Sequence, residues 1–188
     1  MKKIIKSLCI LSLAILTLVG CSGVGSSSDE SNAKKAAKTF GEEFYTVSSK
    51  KIDDYNTFTV AAATGSLQAT AEALQSNDKI LKSLMTEKEF NNLATNRYDT
   101  VYEQACAKAN YTMQVTDFTL TKDYYDSKNN TAGYYFNVKL KFIATKDKTE
   151  RTDATTGYIG LTKENGQWKV SVSKMDTIPK LILEDFSK

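Results

Sequence analysis

Cysteine has the most reactive side chain of the residue types in this 188-residue chain, which contains three cysteines and no histidine. The absence of histidine excludes a nucleophilic Cys–His pair. Cys106 lies between two alanines in a helical pattern, where a small buried side chain is expected. Cys9 lies within an apolar amino-terminal run and Cys21 directly follows it, so Cys21 is the cysteine placed for modification.

Other residue types do not form a recognisable catalytic set. Asp99 and Asp117 have no acid–base partner at an informative spacing, and the remaining aspartates lack the dense oxygen-ligand spacing of a calcium loop. The sequence also lacks a glycine-rich phosphate loop and a serine nucleophile elbow. We therefore predict a protein without catalytic residues, bound metal or cofactor.

The amino terminus has the organisation of a secretory signal. Lysines up to Lys6 precede an apolar run from Leu8 to Val19 and a small-residue site. As a helix, this run would span about 18 Å, against about 30 Å of hydrocarbon in a bilayer. It is therefore too short to span the hydrocarbon core of a bilayer as a helix.

The signal ends in Leu18-Val19-Gly20-Cys21, which resembles the lipobox of bacterial lipoproteins. The resemblance implies cleavage between Gly20 and Cys21 and attachment of diacylglycerol to the Cys21 thiol. Two acyl chains would anchor the mature protein stably, so we expect an extracytoplasmic protein held on the outer face of the cell membrane. Residues 13–20 also resemble the short hydrophobic mating pheromones that some bacteria release from lipoprotein signals.

The charge balance does not indicate nucleic acid as a partner. The chain has 25 basic and 22 acidic side chains, and three of the lysines lie in the predicted signal. The remaining chain is therefore electrically balanced, whereas a nucleic-acid footprint needs an excess of basic residues.

The mature chain divides into a linker and one domain. Residues 21–32 are rich in Gly and Ser, which predicts a flexible tether behind the lipidated cysteine. Residues 33–188 contain no second linker of this kind, and about 150 residues suffice for one core, so we predict a single domain.

The first half of this domain has helical periodicity. Apolar positions from Ala36 to Val47 predict one helix, and residues 53–75 predict a second, with Gly65 as a candidate break within it. A short helix over residues 79–85 is followed by a capping box at Thr86 and Glu89, which predicts a helix continuing to about residue 109.

The second half changes to a period of two, which predicts strands. Alternation over residues 134–142 places one face on a core, and a slip in phase predicts a bulge near Thr116 in the preceding strand. Further strands are predicted over residues 152–162 and 167–174, the last with Trp168, Val170 and Val172 on its buried face. Turn sequences join them at residues 126–130 and 163–166. The fold class is therefore α+β, with amino-terminal helices packed on a curved four-stranded antiparallel sheet.

An amino-terminal helix is followed by the run from Leu84 to Phe90, and the strands end in Gly166-Gln167-Trp168-Lys169-Val170. In this order, the elements resemble the cystatin-like fold of the nuclear-transport-factor-2-like superfamily over most of residues 33–188. In size and element order, the chain is similar to the periplasmic domain of the inner-membrane assembly factor of type IV secretion and conjugation channels. The resemblance implies a non-enzymatic interaction domain with protein partners in an envelope assembly.

The alternative is a ligand-binding or immunity lipoprotein. In that hypothesis, the cone between helices and sheet holds a small apolar molecule or peptide. The side chains expected to line the cone are aromatic: Phe90, Tyr98, Tyr134, Phe136 and Trp168.

A basic cluster marks one predicted hairpin, and its members are Lys139, Lys141, Lys146, Lys148 and Arg151. Such a cluster could contact anionic lipid headgroups or wall polymers. We favour the alternative interpretation that the lysines keep a solvated strand edge from aggregating.

Overall fold

The computed structural model describes residues 25–65 and 79–186, in which helices pack against a four-stranded antiparallel sheet. The helices are α1 (Gly25–Phe44), α2 (Ser49–Ala63), α3 (Glu87–Thr95), α4 (Val101–Ala109) and α5 (Lys180–Phe186). Residues 79–84 are also helical. The strands are β1 (Tyr111–Asp126), β2 (Thr131–Ala144), β3 (Glu150–Glu164) and β4 (Gln167–Met175). The predicted α+β class is confirmed. Among the described helices, none is long and apolar enough to cross a membrane.

The sheet is a meander in which each strand pairs with the next along the chain. Along β2, the even positions from Ala132 to Phe142 are buried, whereas Tyr135, Asn137 and Lys139 are exposed. The period-two pattern predicted this division because successive side chains of a strand point to opposite faces.

Two register shifts interrupt β1. The first lies between Val115 and Asp117 and confirms the predicted bulge near Thr116. The second lies between Lys122 and Tyr124, where the sequence pattern had given no signal. Each shift inserts a residue without a partner and increases the local twist of the strand.

A further bulge in β4 corrects the prediction for Val172. Gly160 pairs with Val172 and the next residue of β3 pairs with Val170, so Ser171 is the extra residue. Trp168 and Val170 are buried as predicted, but Val172 is only half-buried and lies opposite Gly160 on the other face. One inserted residue moves every later side chain of a strand to the opposite face.

The predicted turn chemistry is confirmed in both hairpins. Asn165 and Gly166 have φ values of 51° and 80°, the left-handed pair that a two-residue turn requires. In the β1–β2 turn, the Asp126 carboxylate accepts from the backbone N–H groups of Lys128 and Asn129 at 2.9 and 3.1 Å.

Helix α1 corrects the predicted tether. The chain is helical from Gly25 onward, and only residues 21–24 of the predicted tether lie outside the described residues. The Gly/Ser composition of residues 21–32 indicated flexibility, but Asp29 within it binds Lys163 and Trp168 of the sheet, and Ala33, directly after it, is fully buried in the core. Tertiary packing of one helix face supplies most helical stability in proteins, and composition alone does not report it.

Helix α1 covers the sheet. It contacts all four strands, whereas α3 packs against the edge strand β4. The core cluster combines α1 side chains such as Phe40 and Phe44 with the buried face of the sheet.

Helix α2 begins and ends at residues with clear local signals. The Ser48 hydroxyl accepts from the Lys51 N–H at 3.3 Å, and the chain turns at Gly65 with φ of 73°. The predicted helix over residues 53–75 thus begins earlier, at Ser49, and its part beyond Gly65 lies outside the described residues.

The predicted capping box is half correct. The Thr86 hydroxyl accepts from the Glu89 N–H at 3.3 Å, but the Thr86 N–H donates to the Val170 carbonyl at 2.9 Å. The Glu89 carboxylate instead accepts from the Ser173 N–H at 2.7 Å and from the Asn92 amide at 3.4 Å. Thus α3 and its cap satisfy backbone groups along the edge of β4, which protects that edge from pairing with another chain.

Candidate functional site

An open pocket with a volume of about 350 Å³ lies beside the carboxyl-terminal half of β4. It is formed where the end of α1, the end of α3 and the segment after β4 meet. The lining residues are Phe44, Leu93, Tyr98, Ser173, Lys174, Met175, Asp176 and Ile178.

The end of α3 positions two of these side chains. Arg97 adopts a left-handed φ of 57°, its N–H donates to Ala94 at 3.1 Å, and the Tyr98 N–H donates to Leu93 at 3.0 Å. This pair of hydrogen bonds is a Schellman motif, which ends a helix and brings the flanking apolar side chains together. The helix predicted over residues 86–109 is therefore divided, and Leu93 and Tyr98 both reach the pocket.

The bulge in β4 positions the opposite wall. After Ser171, Ser173 pairs with Ile159 and Met175 pairs with Gly157, so both lie on the helix-facing side of the sheet. A Cβ atom on Gly157 would lie 2.6 Å from the Phe136 ring and 2.1 Å from the Lys174 carbonyl. Glycine at this position therefore allows the Phe136 ring and β4 to approach closely.

Buried tyrosines support the pocket from below. The Tyr102 hydroxyl donates to the Met175 sulfur at 3.0 Å, and the Tyr102 and Tyr45 ring centroids lie 5.2 Å apart. Burial raises the pKa of both tyrosines well above the usual value of 10. Both hydroxyls therefore stay neutral, and Met175 is held from beneath by a donor that does not ionise at physiological pH.

The mouth of the pocket exposes apolar surface beside two charges. Tyr98 and Ile178 are 47% and 43% exposed, which is high for large apolar side chains. Lys174 and Asp176 add one charge of each sign to the lining. Such a lining can hold an apolar side chain and orient a polar neighbour, because apolar walls with a few polar groups are typical of binding sites.

The residues predicted to line the cone are mostly core residues. Phe136 packs between Tyr45 and Phe118 at centroid distances of 5.8 and 5.7 Å, and the Tyr134 hydroxyl donates to the Glu30 carbonyl at 3.4 Å. Burial raises the pKa of Tyr134 to about 12.

The other predicted cone residues are divided between core and pocket. Phe90 is buried on α3, with the Lys82 ammonium 5.7 Å from its ring centroid, and Trp168 is buried at the other end of β4. Tyr98 is the one predicted cone residue that lines this pocket. The sequence gave no direct signal for the other lining residues, because the bulge and the Schellman motif decide their positions.

A polar cluster around Asp29 was missed because it falls in the predicted tether. Its carboxylate accepts from the Lys163 ammonium at 2.7 Å, the Trp168 indole at 3.1 Å and the Tyr125 hydroxyl at 3.1 Å. The hydrogen bond from Lys163 does most to lower the pKa of Asp29, and the bonds from Trp168 and Tyr125 add to it while burial opposes it. An aspartate at the first turns of α1 thus fixes the start of that helix to β1, β3 and β4.

The predicted basic cluster is largely compensated by carboxylates. Three ion pairs join Lys139 to Asp117 at 3.5 Å, Lys141 to Glu150 at 3.0 Å and Arg151 to Glu184 at 3.2 Å. Lys146 and Lys148 lie in the turn between β2 and β3, where the Lys148 ammonium donates to the Thr145 carbonyl at 3.0 Å.

The predicted cleavage and lipidation site, Gly20 and Cys21, lies outside the described residues. Cys106 is described and is buried, as predicted. In residues 25–65 and 79–186, the structure brings together no group of three or more His, Cys, Asp or Glu side chains suited to a metal ion.

Comparison with known proteins gives a partial structural similarity but no family. No protein-family model matches the sequence, and no curated protein matches it at a significant level. The intermembrane space region of chloroplast protein ARC6 is a solved structure similar to part of this chain. It is 13% identical, with 56% of this chain and 93% of that chain covered and a TM-score of 0.27.

Proposed function

We propose that this protein is an extracytoplasmic lipoprotein, anchored through Cys21, whose α+β domain is a non-enzymatic interaction module in an envelope assembly. The observation that carries the interaction role is the open pocket whose mouth exposes Tyr98 and Ile178. Aromatic side chains are enriched in protein interfaces and frequently dominate binding energy. The partner would insert an apolar side chain between Tyr98 and Ile178.

The assembly that we propose is a conjugative or type IV secretion channel. Support comes from the order of helices and hairpins along the chain. This order resembles the cystatin-like fold of the periplasmic domain of the inner-membrane assembly factor of such channels. The lipobox would replace the transmembrane helix as the attachment to the membrane.

The alternative is a ligand-binding or immunity lipoprotein. The pocket volume of about 350 Å³ favours it, because small-molecule sites span about 300 to 1,000 Å³. Against it, Phe90, Tyr134 and Phe136 are buried among other side chains rather than lining this pocket. The ligand would therefore have to occupy the open pocket and not the cone.

Site-specific photocrosslinking distinguishes these functions. A benzophenone amino acid replaces Tyr98 in the anchored, full-length protein, and in a matched control it replaces Tyr135, a tyrosine 52% exposed on the outer face of the sheet. We expect light-dependent adducts with one envelope protein from position 98 and not from position 135. Ile178→Ser should abolish that adduct, since it removes the apolar wall of the pocket.

Two results would contradict the interaction role. One is equal crosslinking from both positions, which would mean that the pocket is not the contact. The other is an absence of protein adducts together with a small molecule that co-purifies with wild type and not with Ile178→Ser, which would favour the alternative.

The anchor has its own test. Cys21→Ala should move the protein from the membrane fraction to the medium or leave it as uncleaved precursor. Normal processing and membrane retention of that variant would contradict lipid anchoring at Cys21.

A further inference from the structure

The start of α1 is fixed to one end of the sheet. Asp29 accepts hydrogen bonds from Lys163, Trp168 and Tyr125, and the neighbouring Glu30 carboxylate pairs with Lys122 at 2.9 Å. These partners come from β1, β3 and β4. The first described helix is therefore held at a defined place on the sheet.

This end of the sheet carries the tips of two hairpins. Asp126 pairs with Thr131 at the β1–β2 turn, and Glu164 pairs with Gln167 at the β3–β4 turn. Helix α1 runs from here towards the opposite end, where Val47 pairs with Met113 near the beginning of β1. Gly25, one turn before Asp29, therefore projects about 6 Å past the level of Asp29, at the side of these two tips.

The remaining turn, residues 145–149, lies at the opposite end of the sheet. Strand β2 joins the two ends and has 14 residues, which at about 3.3 Å per residue separates them by roughly 40 Å. Lys146 and Lys148 of the basic cluster are in this distant turn.

The chain between Cys21 and Gly25 is too short to let the start of α1 move far from a lipid on Cys21. Four residues can span at most about 14 Å, whatever their conformation. This distance is shorter than the sheet is long, so a lipid on Cys21 keeps the adjoining end of the domain near the bilayer.

We propose that the domain stands on the membrane with the tips of the β1–β2 and β3–β4 hairpins facing the lipid headgroups. This orientation rests on the proposed lipid anchor at Cys21, and the Asp29 cluster maintains it. The turn at residues 145–149, with Lys146 and Lys148, then projects roughly 40 Å away from the membrane. In this orientation, Lys146 and Lys148 do not contact the bilayer in which the protein is anchored.

Fluorescence quenching in vesicles tests the orientation. The lipidated protein, with Cys106→Ala as background, carries one dye at Ser127→Cys or at Asp147→Cys, at the two opposite ends of the sheet. The vesicles are phosphatidylcholine doped with a headgroup-quencher lipid. We expect quenching at position 127 to be several-fold greater than at position 147, because the two positions differ by roughly 40 Å in height.

A pair of variants on α1 tests the role of the Asp29 cluster. Asp29→Ala removes the acceptor and should reduce the difference between positions 127 and 147. Glu42→Ala is the matched control, since Glu42 lies on the same helix in an exposed pair with Lys38, and it should leave the difference unchanged. Circular dichroism establishes that both variants remain folded.

Failure of this orientation is distinguishable from failure of the anchor. Protein that does not bind the vesicles contradicts lipid anchoring, whereas bound protein with equal quenching at both positions overturns only the orientation. Strong quenching at position 147 in phosphatidylglycerol vesicles would also overturn it, because the basic cluster would then lie on the anionic bilayer.

Discussion

Asp29 on α1 and Glu89 on α3 both attach a helix to the sheet, but they bind different kinds of donor. Asp29 accepts from three side chains, including the Lys163 ammonium, whereas Glu89 accepts from the backbone N–H of Ser173. The Asp29 side chain is 26% exposed, and Glu89 as a residue is 8% exposed.

The difference shows two ways in which a carboxylate attaches a helix to a sheet. It can pair with a cation, or it can accept a hydrogen bond from a backbone N–H that has no neighbouring strand. Asp29 pairs with a charge at a partly exposed site, where ion pairs contribute modestly. Glu89 satisfies a backbone group on the edge of β4 at a buried site, where an unsatisfied N–H would cost about 1 to 3 kcal/mol. We therefore expect the Glu89 contact to matter more for stability, and the Asp29 contact to matter for orientation.

The largest expected effect comes from Trp168, which contributes both a buried ring and a donor to Asp29. Trp168→Ala should lower the free energy of unfolding by about 3 to 5 kcal/mol, because it leaves a cavity in the core. Urea denaturation measures the change. Trp168→Phe keeps an aromatic ring and loses the donor, so it should cost clearly less; a loss below about 1 kcal/mol for the alanine variant would contradict a core role.

Glu89→Ala should come next, with a loss of about 2 to 3 kcal/mol, because the Ser173 N–H becomes unsatisfied. Glu89→Gln retains an acceptor and should cost less than half as much. Equal losses for the two variants in urea denaturation would mean that the charge of Glu89, and not its acceptor, stabilises the α3–β4 contact.

Asp29→Asn should cost about 1 to 2 kcal/mol at neutral pH, and the loss should shrink in acid. Because the folded protein lowers the pKa of Asp29 below 3.8, ionised Asp29 stabilises the fold above that pH. This contribution is lost as the pH falls through the lowered pKa. Thermal unfolding of both proteins between pH 7 and roughly pH 2 measures the difference, and a difference that is constant with pH would contradict the charged contact.

Tyr98→Ser should have the smallest effect on stability, within about 0.5 kcal/mol, since nearly half of the residue is exposed. It should nevertheless reduce partner binding through the pocket. In-cell crosslinking with a benzophenone amino acid at Lys174 reports that binding while leaving position 98 free to vary. A large loss of stability would assign Tyr98 to the core.

The sequence predicted those parts of the fold whose causes are local. The alternation in β2, the slip near Thr116, the Asn165-Gly166 turn and the Thr86 cap are each confirmed, because each depends on residues only a few positions apart. Predictions failed where a tertiary contact overrode the local pattern. Glu89 binds β4 instead of its own cap, and α1 extends into a segment whose composition is that of a linker.

The candidate site was less predictable than the fold. One predicted cone residue, Tyr98, lines the pocket, while the bulge at Ser171 and the Schellman motif at Arg97 decide which other side chains reach it. A bulge shifts the phase of all later residues in its strand, and period-two reasoning therefore assigned Val172 to the wrong face.

The sequence by itself predicted the α+β order and the strand pairing through short turns, and it suggested the lipobox. Each of these depends on residues that are close together in the chain. Only the tertiary structure decided where α1 begins and which end of the sheet it occupies. Asp29 is separated from Lys163 by 134 positions and from Trp168 by 139, so no local periodicity could relate them. Folding of the sheet brings those donors to one place, and the helix is fixed there because a carboxylate between three donors is more stable than one in a free chain.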